Sequence, residues 1–405
     1  MHAIRLAFPL LLLCASLSTR GAEPNQAVLA QSEQYREEAL SLLERLVNID
    51  SGSASTSGIE SVSSVVVDEL KRTDAQIETV SAKPAAGSNV LATWKGTGKA
   101  RILLMAHLDT VFPDGTASTR PFRISDGRAY GPGVVDNKGG VVLGIYAMKV
   151  LKGLDFKQYG QITLLLNTNE ETGSKGSRAL IEQQAKQHDV VLNLEPGREH
   201  DGLTVQRKGS GTLTIEVTGK ASHAAGPEKG RNAVTELAHQ ILELNKLGDP
   251  AKLTTLSVTV VKAGTVSNVI PDSATAYGDV RVAVPEEFDR IERDLVRVSG
   301  TTLVPDTKVT AKLVRGFPPM PRTPTTDKLA AQAQEIYAEI GRKLGLEMSG
   351  GAADASLTAG VGTPTLDGFG MVGAHPHSTE EYADVNLVVP RLYLLSRMLM
   401  RLSTQ

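Results

Sequence analysis

Residues 162–177 read ITLLLNTNEETGSKGS. Three consecutive leucines, Leu164 to Leu166, run straight into a polar cluster that holds two adjacent glutamates, Glu170 and Glu171. A run without polar alternation predicts a strand covered on both faces. Neighbouring carboxylates at the end of such a strand repel each other, and burial raises the cost of keeping both charged. Something must compensate them.

The same arrangement recurs on either side. Apolar strands are predicted at 89–94 (NVLATW), 101–107 (RILLMAH) and 189–195 (DVVLNLE), separated by helical segments at 137–153 and 176–187. Strands alternating with helices predict an α/β domain built on an open sheet. From about residue 210 the pattern changes. Alternating TLTIEVTG, helical NAVTELAHQILELNKL, strands LTTLSVTVVKAG and ATAYGDVRVA, helical EEFDRIERDLVRVS and the strand KVTAKLVRG follow in turn. That order is β-α-β-β-α-β, a complete ferredoxin-like unit. GFPPMPRTP at 316–324 reads as the hinge that leaves it. The expected organisation is a catalytic domain at 23–208 and 317–405, interrupted by an inserted α+β domain at 209–316.

Composition narrows the function. The chain has 405 residues, 41% hydrophobic and 22% charged, with a formal net charge of −2. No basic stripe runs along it, which argues against nucleic acid as a partner. Residues 1–22, MHAIRLAFPLLLLCASLSTRGA, combine a basic start at Arg5, an apolar run at Leu10–Leu13 and small residues at Gly21 and Ala22. This is the layout of a bacterial-type export signal, so a secreted or periplasmic protein is expected. The one cysteine, Cys14, falls within it. Leu13 stands where a lipoprotein signal prefers a small residue, which disfavours lipidation. After processing, the site must be built from His, Asp, Glu and backbone groups.

Polar clusters sit just after the predicted strands, where open α/β sheets collect their ligands. They supply His107 and Asp109 (MAHLDTV), Asp136 (GPGVVDNKGG), Glu170 and Glu171, and Glu195 (NLEPG). GAHPHSTEEY adds His375 and His377 near the far end. Singly these are ordinary residues: a histidine at a strand end is usually structural, and an aspartate among glycines usually caps a turn. Together, two imidazoles and three carboxylates suit a pair of borderline divalent ions, zinc first. One of the adjacent glutamates can bind metal while the other serves as general base and later acid. Asp109, two residues from His107, can fix the tautomer of that ring if the strand continues.

HLDTV, GPGVVDNKGG, NEETGSKGS, LEPG, TGKASHAAGPEKGRNAV, VSNVIPDSA, GGAADAS and HSTEEY, in this order, resemble the dinuclear-zinc aminoacylase and carboxypeptidase family. Within it the likeness is to the glutamate carboxypeptidases, and it spans nearly the whole processed chain. The resemblance implies two Zn2+ per chain, one held by His107 and Glu195, the other by Glu171 and His377, with Asp136 bridging. His377 is preferred to His375 because it stands four residues before Glu381. Glu170 is implied as the catalytic base and Asp109 as the partner of His107. The insert is implied to be a dimerisation and lid domain of a homodimer, with His223 reaching the neighbouring subunit's site. Asn268 and Arg281 match positions that hold the carboxylate of a small-molecule or peptide substrate.

One departure stands out: after the RG that closes the insert, Phe317 occupies a place where a basic residue is expected, which weakens the case for glutamate as the leaving residue. An N-acyl-amino-acid deacylase uses the same core. A metal-binding protein without activity would need neither Glu170 nor His223, and a phosphatase would call for more basic groups.

Overall fold

The computed structural model describes residues 23–404; the segment read as an export signal, with Cys14, lies outside the described residues. The chain lays down β1 (Gln76–Ser81), β2 (Ser88–Lys95), β3 (Arg101–His107), β4 (Gln161–Asn167), β5 (Val190–Asn193) and β6 (Gly202–Arg207). It then forms β7 (Gly209–Thr218), β8 (Thr255–Ala263), β9 (Ser273–Val282) and β10 (Lys308–Arg315), and ends with β11 (Gly345–Ser349) and β12 (Thr365–Asp367). Among these residues an eight-stranded sheet has the order β1-β2-β4-β3-β5-β12-β6-β11, and a four-stranded sheet the order β8-β9-β7-β10.

The central strands are mostly apolar because both of their faces are covered. Ile102, Leu104 and Ala106 of β3, with Ile162, Leu164 and Leu166 of β4, enter the main core. Leu103, Met105 and Leu165 point the other way, into a second cluster with Ile181, Ala185 and Leu357. Alternate residues of a strand face opposite sides, so a sheet layered on both sides demands this composition. The helix Lys138–Gly153 is buried along nearly its whole length. It packs between β3 and the last helix, Val388–Ser403, which explains why it is apolar all round.

The insert folds as the sequence pattern predicts. All pairs in its sheet are antiparallel, with β7 at the centre between β9 and β10. The helix Glu286–Ser299 buries Phe288, Ile291, Leu295 and Val298 on one stripe and starts with Glu286, Glu287 and Asp289, which suit its positive end. Asn232 caps the helix Ala233–Asn245 through the N–H groups of Val234 and Thr235. Both helices close over a core separate from that of the catalytic part. The sequence reading missed β11, which follows the helix Pro324–Glu339 and pairs as an edge strand parallel to β6.

The last helix also fixes the loop that follows Glu195. Arg391 is fully buried on it; its Nε donates to Asp201 Oδ1 at 2.9 Å, Nη1 to Gly368 O at 2.8 Å and Nη2 to Gly202 O at 2.9 Å. Gly197 is a glycine because a Cβ there would come within 2.6 Å of Nη2. Arg391→Met should cost about 3 kcal/mol or more, since Asp201 and two carbonyls lose their charged donor. Urea unfolding followed at the single tryptophan, Trp94 in β2, measures this for the catalytic part; an unshifted midpoint would refute it.

Candidate metal centre

Strand register assembles the site. In the parallel β3–β4 pair, His107 lies opposite Asn167, and in the β3–β5 pair Met105 lies opposite Asn193. The segments carrying Asp109, Glu170 with Glu171, and Glu195 therefore leave the same edge of the sheet. One local expectation needs correction: β3 stops at His107, so Asp109 lies beyond the strand. Glu170–Thr172 form a single 3-10 turn that carries both glutamates.

Asp136 is the centre. Its Oδ1 lies 3.1 Å from His107 Nε2, and its Oδ2 lies 3.2 Å from His377 Nε2. On the first side Glu195 Oε1 is 3.5 Å from His107 Nε2; on the second, Glu171 Oε2 is 3.1 Å from His377 Nε2. Ligand atoms of His107, Asp136 and Glu171 all lie within 4.8 Å of one another, so the two halves are contiguous. His375, by contrast, stacks at a tilt beside Tyr382.

Surrounding groups lock these side chains in place. Asp109 accepts from Ser53 Oγ at 2.6 Å, from the N–H of Glu170 at 3.1 Å and from the N–H of Glu171 at 3.3 Å. One buried carboxylate thus ties the turn of both glutamates to the His107 strand. His107 Nδ1 faces the Asp109 backbone carbonyl at 3.0 Å and its carboxylate at 3.3 Å, so the backbone shares the orienting role expected of the side chain alone. Glu381 accepts from the N–H groups of Gly133, Val135 and Asp136 at 2.9–3.1 Å and holds the Asp136 loop. Asn137 Nδ2 donates to Glu195 Oε1 at 3.1 Å.

The electrostatics are those of a site short of positive charge. Burial, then the nearby Glu195, drives the Glu170 carboxyl well above the usual range. Burial and Asp136 push Glu195 up to about 8. Asp136 and Glu171 raise His377 to about 10. Burial opposes ionisation of Asp136, yet hydrogen bonds with His107 and His377 outweigh it and hold the carboxyl below its ordinary value. Glu171 Oε1 is buried without any partner. Imidazole nitrogens, carboxylate oxygens, an orphaned oxygen and an excess of negative charge fit borderline divalent ions.

A cavity of about 470 Å3 opens on Asp136, Glu170, Glu171, Glu195 and His377. Arg198 and Arg207, which the sequence reading did not single out, line it as well. An adjoining hollow of about 530 Å3, walled by Ser53, Phe112, Pro113 and Thr172, also reaches Glu171. Residues of the insert stand apart from this cluster. His223 is exposed on a short ribbon paired with Val269, and Asn268 O accepts from Ala224 N at 2.9 Å, so these two positions are neighbours. Arg281 on β9 is gripped by Asp279 at 2.9–3.2 Å. None of the three lines the cavity. Phe317 does not line it either: it is buried in the cluster beneath the sheet with Leu103 and Leu165.

The comparisons with known proteins agree with this geometry. Residues 103–401 match the model of Peptidase family M20/M25/M40. The chain is 38% identical over 387 residues to Carboxypeptidase G2 from Pseudomonas sp. (strain RS-16), covering 94% of this chain and 93% of that protein. It is 29% identical over 314 residues to a succinyl-diaminopimelate desuccinylase from Bradyrhizobium sp., covering 72% and 80%. In fold it is similar to an M20 family metallo-carboxypeptidase from Sulfolobus solfataricus, with a TM-score of 0.72 at 18% identity over 91% of this chain and all of that one. The centre around Asp136 is thus part of a metal-dependent peptidase or amidohydrolase, and the chain belongs to Peptidase family M20/M25/M40.

Proposed function

We propose that this protein is an exported dizinc carboxypeptidase that hydrolyses the amide bond to a C-terminal amino acid, acyl-glutamates first. One observation carries the two-ion reading: the two oxygens of Asp136 face two separate histidines, each of which has a glutamate beside it. His107, Glu195 and one oxygen of Asp136 would hold one ion; His377, Glu171 and the other oxygen would hold its partner. Bound there, such ions increase the acidity of water and polarise an amide carbonyl.

The chain's own residues then handle the proton. Glu170 lines the cavity beside these ligands and has no assigned ligand role. Its carboxylate takes a proton from the attacking water as the oxygen adds to the carbonyl carbon. The same proton passes to the amide nitrogen as the C–N bond breaks, releasing the amino acid. The high proton affinity that burial gives Glu170 suits a group that must hold a proton between the two steps. Asp109 keeps the Glu170 backbone and the His107 ring in register with each other. The two hollows meeting at Glu171 leave room on both sides of a bound amide.

The glutamate preference draws support from the 38% identity to Carboxypeptidase G2. The likeness to a desuccinylase favours a second reading, an N-acyl-amino-acid deacylase with the same chemistry. Export is proposed from residues 1–22. A homodimer is proposed because His223 and Asn268 sit together on the insert, outside the chain's own cavity, where they can serve a neighbour. Arg281, whose planar fork suits a carboxylate, would have to exchange its Asp279 contact for substrate.

Glu170→Gln should keep its metal and lose turnover by about 10²–10⁴-fold, the span of general acid–base contributions. Glu171→Gln should lose metal instead; equal metal loss in both variants, measured by elemental analysis, contradicts the division of roles. Mixed His223→Ala and Glu170→Gln chains should regain activity after subunit exchange, because one hybrid site keeps both groups. Absence of rescue despite exchange verified by mass spectrometry excludes a shared site. Matched substrates ending in glutamate, leucine and phenylalanine should rank glutamate first in kcat/KM, and an apolar preference would leave only the broader carboxypeptidase or deacylase.

A further inference from the structure

We infer that Arg198 is a second anion-binding group of the cavity, and that preferred substrates carry an acidic group reaching it in addition to the free α-carboxylate. The word substrate here rests on the amide-hydrolysing reading above; the anion site itself does not.

Arg198 stands three residues after Glu195 and lines the same cavity as Asp136 and Glu170. Its Nε donates to the neutral Thr204 Oγ1 at 2.9 Å. Among the described residues no carboxylate oxygen comes within 4.0 Å of its guanidinium, and its Nη2 is buried with no hydrogen-bond partner. A guanidinium offers five N–H donors, and withdrawing it from water without a counter-charge is costly. Arg198 is half-buried, whereas the two fully buried arginines, Arg391 and Arg207, are supplied with partners. Arg391 has Asp201 and two carbonyls. Arg207, on the same cavity wall, is held by Asp367, Ser349 Oγ and Gly351 O, with Glu195 at 3.9 Å.

Burial, then the neighbouring Arg207, lowers the proton affinity of Arg198, and Asp367, Glu195 and Glu347 offset this only in part because none of them reaches contact distance. An incoming carboxylate relieves both costs at once through a charge-assisted, two-point contact. Glu199 and Glu347 line the cavity too, and neither pairs with Arg198. They oppose the entry of a loose anion. An acid group already tethered to a molecule anchored at the Asp136 centre avoids that penalty, because its local concentration is high. The subsite therefore selects dicarboxylate molecules over monocarboxylates, and it supplies a basic contact even though Phe317 lies away from the cavity.

The test is calorimetric binding of glutarate and of butyrate to the zinc-loaded, full-length processed protein. One carboxylate can occupy the metal centre in both; only glutarate has a second for Arg198. The wild type should bind glutarate about tenfold or more tightly than butyrate, the range expected for one hydrogen-bonded charge pair. Arg198→Gln and Arg198→Ala should bring the two within about twofold, whereas Arg198→Lys should keep part of the margin, since charge remains and the fork is lost. No discrimination by the wild type, or an undiminished margin in Arg198→Gln and Arg198→Ala, overturns the inference. Hydrolysis of acyl-glutamate and acyl-leucine is measured separately. Failure there sinks the proposed reaction and leaves the binding margin intact, whereas loss of the margin with hydrolysis intact sinks Arg198 alone.

Discussion

Asp136 cannot be a bystander: a buried carboxylate shared between two imidazoles, with glutamates behind each, is a concentration of negative charge that the protein's own cations do not offset. Every notable feature around it serves to keep such a cluster together. Asp109 collects Ser53 Oγ and two backbone N–H groups to fasten the Glu170–Thr172 turn. Glu381 collects three more to fasten the loop that ends at Asp136. These anchors hold the ligand oxygens in place before any ion arrives, which is what a supporting shell contributes to a metal site.

The fold explains why such charge can be held at all. Strands buried on both faces bring His107, the Glu170 turn and Glu195 to one edge in fixed register. The returning C-terminal segment adds His377 from a loop whose residues His375 and His377 both have left-handed backbone, with φ of 58° and 64°. Non-glycine residues adopt that conformation at a cost, and it is commonest where a site needs a side chain aimed against local preference. The inserted sheet has its own core; His223 and Asn268 sit together on the insert, and Arg281 is held by Asp279 near the far end of β9. The insert's core is separate from the clusters on the two faces of the larger sheet, and the group around Asp136 lies with the larger sheet.

Much of this was legible in the sequence because it is written in local patterns. Continuous apolar runs announced the covered sheet, the β-α-β-β-α-β order announced the insert, and polar clusters after strands announced His107, Asp136 and Glu195. What could not be read was contact between distant segments. Ser53 meets Asp109, and Arg391 meets Asp201 and Gly202, across long stretches of chain. Arg198 and Arg207 resembled ordinary loop and strand charges until the cavity brought them together. The Asp279–Arg281 pair was within reach, since residues two apart on a strand share a face. Phe317 departed from the family pattern as noted, but its burial depends on how the hinge packs under the sheet, which no local signal records.

Anomalous diffraction at the zinc absorption edge, from crystals grown with zinc, addresses the centre itself. Two peaks per chain are expected, both bordering Asp136, one beside His107 and Glu195 and the other beside His377 and Glu171. A single peak, or two peaks of which one lies away from Asp136, would contradict the bridged pair on which the proposed chemistry depends.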